Sequence, residues 1–179
     1  MKKVLFSLLF LAGIAFSARA QVAPSAVARQ FSIFGGGTGT LFSPDYGPNH
    51  LAGVSAFVDV HFTRWVQVEA EGRWQRFHQY ENINQNNYLI GPRLPIKTIW
   101  KATPYVKVLA GYSSMNFQFS YASGKFTTIE YGGGVDVRLA GHLSARGEFD
   151  YQQWPNFVEG SIYPYGASVG ISYRVLGGR

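Results

Sequence analysis

From Leu51 onward the chain alternates apolar and polar positions with a period of two. Ala52, Val54, Ala56, Val58, Val60 and Phe62 fall on one side, with Gly53, Ser55, Phe57, Asp59 and His61 between them. Successive side chains of a strand point to opposite faces, so this spacing predicts one apolar and one mainly polar face. A short Thr63-Arg64 turn follows. The apolar set then resumes with Val66, Val68, Ala70, Gly72 and Trp74, opposed by Gln67, Glu69, Glu71, Arg73 and Gln75. The arrangement recurs over 87–97, 104–113, 127–138, 143–154 and 164–175, and weakly over 31–40, where four glycines blur the faces. Eight strands are expected.

The connections alternate in length. Those at 63–64, 98–102 and 140–142 are short, whereas 42–50, 78–86, 114–126 and 155–163 are longer and richer in Asn, Ser, Pro and Gly. Alternate short and long connections, with both termini on the short side, predict an all-β, eight-stranded antiparallel up-and-down barrel. Strands of ~10–12 residues match the length needed to cross a bilayer obliquely.

A soluble lipocalin-like barrel would alternate too, with its apolar face inside. Two features favour the transmembrane arrangement. Mid-strand apolar positions are mostly Val, Ala, Ile and Gly, while Phe62, Trp65, Trp74, Tyr88, Tyr112, Tyr131, Tyr151, Tyr165 and Tyr173 gather toward strand ends. Rings at both margins suit the two lipid–water interfaces. The polar face is also dense with charges of both signs: Glu69, Glu71, Arg73, Arg93, Lys107, Glu130, Asp136, Arg138, Arg146, Glu148 and Arg174. An eight-stranded barrel has room inside for side chains only, so these are expected to form a plug of ion pairs. Loss of Arg138 would then strand a buried carboxylate.

The N-terminus changes the compartment. Lys2 and Lys3 precede an apolar run from Val4 to Phe16, and Ala18-Arg19-Ala20 offers a small-x-small cleavage site. The run is shorter than the ~20 residues a helix needs to cross. Residues 1–20 are therefore read as a cleaved signal peptide and 21–179 as the barrel domain. Gln21 follows the site, so a lipoprotein anchor is excluded. Without Lys2, Lys3 and Arg19 the formal net charge falls from +6 to +3, with no basic block, which argues against nucleic acid. The absence of cysteine excludes disulfides and thiolate metal sites.

Three segments resemble the strand motifs of the outer membrane protein β-barrel domain family, of the OmpA/OmpX type. They are Tyr88-Leu89-Ile90-Gly91-Pro92-Arg93, Thr103-Pro104-Tyr105-Val106-Lys107 and Gly132-Gly133-Gly134-Val135-Asp136-Val137-Arg138. The resemblance covers essentially the whole mature chain. It implies a monomeric barrel in the bacterial outer membrane, contacting its lipid, with no catalysis and no cofactor. The final strand, Ser168 to Val175, is similar to the signal read by the barrel assembly machinery, through Ser168, Gly170, Tyr173 and Val175. It departs from that pattern by ending in Val175 rather than Phe, and residues 176–179 trail beyond it. The peptidoglycan-binding domain of full-length OmpA has no counterpart in this sequence.

Candidate chemistry is sparse. His50, His61, His78 and His142 show neither HxH nor HExxH spacing, so no metal site is expected. Some small barrels are lipid A deacylases or palmitoyltransferases, but the deacylase His-x-Ser motif is missing, and only His78 beside Ser113-Ser114 could pair a base with a hydroxyl. Gly35 to Gly39 has no Gly-Lys-Ser/Thr and no helix after it, so curvature of the strand explains it better than phosphate binding. Aromatics and amides in the long connections, Tyr46, His50, Tyr80, Asn82, Asn84, Asn86, Phe117, Phe119, Tyr121, Trp154 and Phe157, suit contact with a surface ligand. The expected role is structural or surface interaction. A narrow passive pore is the alternative; a lipid A enzyme or a soluble ligand-binding barrel ranks below it.

Overall fold

The computed structural model describes residues 31–45, 50–76, 84–116, 123–157 and 160–177. Among the described residues nine strands run β1 (Ser32–Ser43), β2 (Leu51–His61), β3 (Gln67–Arg76), β4 (Asn84–Pro95), β5 (Ala102–Asn116), β6 (Ser123–Ala140), β7 (Leu143–Phe157), β8 (Gly160–Ile162) and β9 (Tyr165–Gly177). Each pairs antiparallel with its neighbour. β1 pairs with β9 and β7 with β9, so the sheet closes on itself. Closure leaves no unpaired edge, the condition a β-structure must meet to span lipid. β8 is a short return against the outer end of β7. Eight strands therefore form the wall, as the alternation predicts.

The stagger follows from the ladders. Stepping from Ser32 through His61, Gln67, Arg93, Lys107, Gly132, Asp150 and Gly166 returns to β1 at Phe42, ten positions further along the same strand. That shear tilts the strands and sets the barrel diameter.

Burial alternates residue by residue. On β3, Gln67, Glu69, Glu71, Arg73 and Gln75 are buried, whereas Ala70, Trp74 and Arg76 are exposed. Val54, Val58, Ile90, Val106, Val108, Val169 and Ile171 all face outward. A water-soluble barrel would bury these and expose the charges; this wall does the reverse. The outward rings form belts. Trp74, Tyr88 and Tyr112 lie in a row near the long-connection end, with centroids 6.2 and 5.4 Å apart. Tyr131, Tyr151 and Tyr165 continue it across β6, β7 and β9. Phe62, Trp65 and Tyr173 mark the opposite margin.

The strands extend beyond the sequence expectation at the long-connection end. The 114–126 connection is laddered as far as Asn116↔Ser123, and β7 continues to Phe157. Above the bilayer both faces of a hairpin meet water, so apolar alternation disappears while backbone pairing persists. Much of what the sequence suggests for these loops falls at Tyr46, His78, Tyr80, Asn82, Phe117, Phe119 and Tyr121, outside the described residues, as do residues 1–30; of Phe157 only the backbone is described.

Candidate functional site

The alternation that turns valines to lipid turns ionic side chains to the barrel axis. Three centres of positive charge stack along it. Nearest the long connections, Arg73 reaches Glu71, Glu130 and Asp150 at 2.8, 2.9 and 2.9 Å. In the middle, Lys107 sits among five carboxylates: Glu69 at 2.9, Glu148 at 3.2, Glu71 at 3.3, Asp150 at 3.4 and Glu130 at 3.6 Å. Toward the short turns, Arg93 and Arg146 share Asp59, Glu69 and Asp136. Arg73 and Glu130 are fully inaccessible and Lys107 is 2 % exposed.

Neutral groups complete the packing. Gln152 donates to Glu130 at 2.7 Å and accepts from Asn87 and from the Trp154 indole. The Tyr105 hydroxyl donates to Glu148. Ser113 and Thr128 share a hydrogen bond of 2.6 Å, as Thr38 and Ser55 do at 2.7 Å. The guanidiniums also lie over rings: Arg93 over Tyr105 at 3.6 Å, Arg146 over Phe57 at 3.7 Å and Arg73 over Phe42 at 4.4 Å. Such stacking suits a planar, weakly hydrated cation better than a lysine.

Glycine makes the space. A Cβ on Gly132 would lie 2.3 Å from an Asp150 carboxylate oxygen and 2.8 Å from the Lys107 stem. One on Gly36 would meet the Phe57 ring at 2.4 Å. Thus the Gly35–Gly39 run lies in β1 and admits a ring that a larger side chain would displace.

Of the charges expected inside from sequence, Glu69, Glu71, Arg73, Arg93, Lys107, Glu130, Asp136, Arg146 and Glu148 are placed in this network. Two are not. Arg138 is exposed and forms no ion pair among the described residues, which corrects the expectation that its loss would strand a carboxylate. The physical reason is its position at the end of β6, paired with Ser144 just before the bulge between Arg138 and Ala140, where the lumen opens. Arg174 is half-buried near the same mouth, over the Phe34 ring at 5.4 Å, likewise without an ion pair among the described residues.

Asp59 and Asp150 join the network as well, on positions that the same alternation marks as inward, and Phe57 and Tyr105 supply aromatic shelves beside the guanidiniums. Phe57 stands between Ala56 and Val58, so its inward direction was readable; its pairing with Arg146 was not.

Among the described residues no group of three or more potential ligands could hold a metal. The His61 ring stacks on Phe34 at 4.5 Å, His142 packs edge-on against Tyr173, and Ser113 is sealed in the lumen. On the last strand Ser168 and Gly170 line the interior side, Gly170 against Gly37 and Thr38, while Tyr173 and Val175 face outward.

Comparison with known proteins fits this architecture. The structure of Neisserial surface protein A (NspA) superposes with a TM-score of 0.63 at 8 % identity, covering 81 % of this chain and 97 % of that one. Ail, the attachment invasion locus protein of Yersinia pestis, was solved in complex with the heparin analogue sucrose octasulfate. It gives a TM-score of 0.56 at 16 % identity, covering 80 % of this chain and 97 % of that one. The N-terminal β-barrel domain of Pseudomonas aeruginosa OprF gives 0.54 at 16 % identity, with coverage of 81 % and 99 %. No curated protein matches the chain. Residues 6–174 match the family model for the outer membrane protein beta-barrel domain, and the chain belongs to that family.

Proposed function

We propose that this protein is a closed, non-catalytic barrel of the outer membrane whose role is structural or lies in contacts made by its outer loops. The observation that carries the reading is the plug of Arg73, Lys107, Arg93 and Arg146 with their carboxylates, which fills the cross-section over several layers. Opening a wet path would separate buried ion pairs, each strongly costly to break. Non-catalysis is supported by the engagement of the Ser113 hydroxyl with Thr128 inside the sealed lumen.

On this reading residues 1–20 direct export and are removed, the monomer is inserted by the barrel assembly machinery acting on Ser168, Gly170, Tyr173 and Val175 of β9, and the loops meet any partner. Ail, a barrel of the same fold, was solved with a heparin analogue, which lends support to ligand contact in this architecture. Planar-bilayer recording tests the proposal. The purified barrel is expected to give no stepwise conductance. Steps whose size changes in Glu130→Gln would establish the pore instead, and altered lipid A mass spectra on overexpression would establish an enzyme.

A further inference from the structure

The lumen opens on the short-turn side, the periplasmic side in this family of barrels, into a cavity of about 410 Å³. Its floor holds Asp59 and Asp136, both already paired with Arg93 and Arg146. Its walls and rim hold Arg64, Lys101, Arg138 and Arg174, none in an ion pair among the described residues. Beyond Arg93, which Asp59 and Asp136 already engage, four cationic side chains thus line the cavity without a carboxylate partner among the described residues. Of the other described acidic residues, Asp45 lies at the opposite mouth and the rest lie deeper in the lumen.

Five buried polar atoms of the lining lack a hydrogen-bond partner among the described residues: Arg93 Nε, Arg174 Nε, His61 Nε2, Asp59 Oδ1 and Gln67 Oε1. The two guanidinium N–H groups are donors that only an acceptor can match, and a buried N–H left unmatched is unfavourable. Ser144 and Ser172 add hydroxyls to the same wall. At the rim Trp100 is 88 % exposed at φ +55°, a conformation a bulky residue adopts at a cost, and Lys101 lies 5.3 Å from its ring.

We infer that this vestibule binds a phosphate-bearing anion, either a lipid headgroup or a soluble phosphoester. Guanidinium forks match phosphate oxygens bidentately, and a concave, cationic, low-dielectric mouth concentrates anions. The volume falls in the ~300–1,000 Å³ range of small-molecule pockets, larger than a bare ion fills. The Trp100 ring offers an apolar face to the organic part. The chain reaches Phe31 at this mouth, but residues 21–30 carry Arg29 and no carboxylate, so charge does not favour that segment as the occupant.

The test follows the Trp100 indole N–H by NMR in the folded barrel in uncharged detergent, with glycerol as control. Glycerol 3-phosphate, short-chain phosphatidylglycerol and inorganic phosphate are added in separate titrations. A saturable shift with glycerol 3-phosphate assigns a soluble phosphoester, and one with phosphatidylglycerol alone assigns a lipid headgroup. The double variant Arg138→Gln, Arg174→Gln is expected to bind about tenfold or more weakly, with its heat-modifiable gel migration intact. Arg76→Gln, at the other mouth, is expected to bind as the parent does. No saturable shift with either phosphoester, a response to inorganic phosphate alone, or equal weakening in Arg76→Gln overturns the inference.

Discussion

The Arg73 guanidinium on β3 meets the Glu130 carboxylate on β6 across the lumen, with Nη1 2.9 Å from Oε2. The two residues are 57 apart in sequence and neither is accessible to solvent. They tie opposite walls of the barrel, and the surrounding groups leave both little freedom. A buried pair of this kind adds little net stability relative to an apolar filling, yet losing one partner is expensive.

Lys107→Met removes the one cation that faces Glu69, Glu71, Glu130, Glu148 and Asp150 together. The expected loss is about 3–5 kcal/mol. Urea titration in lipid vesicles, read by gel migration before and after boiling, should show a clearly lower midpoint. An unchanged midpoint would mean that water reaches the middle of the lumen.

Arg138→Met, by contrast, touches a residue exposed at the mouth of the lumen. Its expected effect is within about 0.5 kcal/mol, as for surface substitutions generally. A loss comparable with that of Lys107→Met would place Arg138 inside the plug.

Gly132→Ala puts a methyl where an Asp150 oxygen and the Lys107 stem already lie, at 2.3 and 2.8 Å. Overpacking of this kind costs about 1–3 kcal/mol. Gly147→Ala, whose Cβ would meet nothing within 4 Å, is the matched control and should leave the urea midpoint nearly unmoved.

Val108→Arg places a charge on the outward face near mid-strand, where Val108 is 44 % exposed. At the bilayer midplane such a substitution costs about 2–4 kcal/mol. Arg76→Lys, which keeps a charge at the outer end of β3, should be silent. Equal tolerance at both sites in vesicle refolding would contradict lipid contact at Val108.

Strand number, closure class and the direction of nearly every side chain were legible in the chain itself. Alternation is a local property, and a one-residue slip would turn every valine from lipid to lumen. Glu69, Glu71 and Arg73 could thus be assigned inward from their spacing between Val68, Ala70 and Gly72. The loop-end extensions at Asn116 and Phe157 were not legible, because water on both faces removes the pattern while the ladder continues.

What the tertiary structure alone decided is which inward groups meet. Register and shear bring Lys107 of β5 against acids of β3, β6 and β7, and they carry Arg138 to the open mouth of the lumen. Pairing across a barrel depends on stagger summed over eight ladders, and no window of sequence contains that sum. The alternation sets the side of the wall; the closure sets the partner.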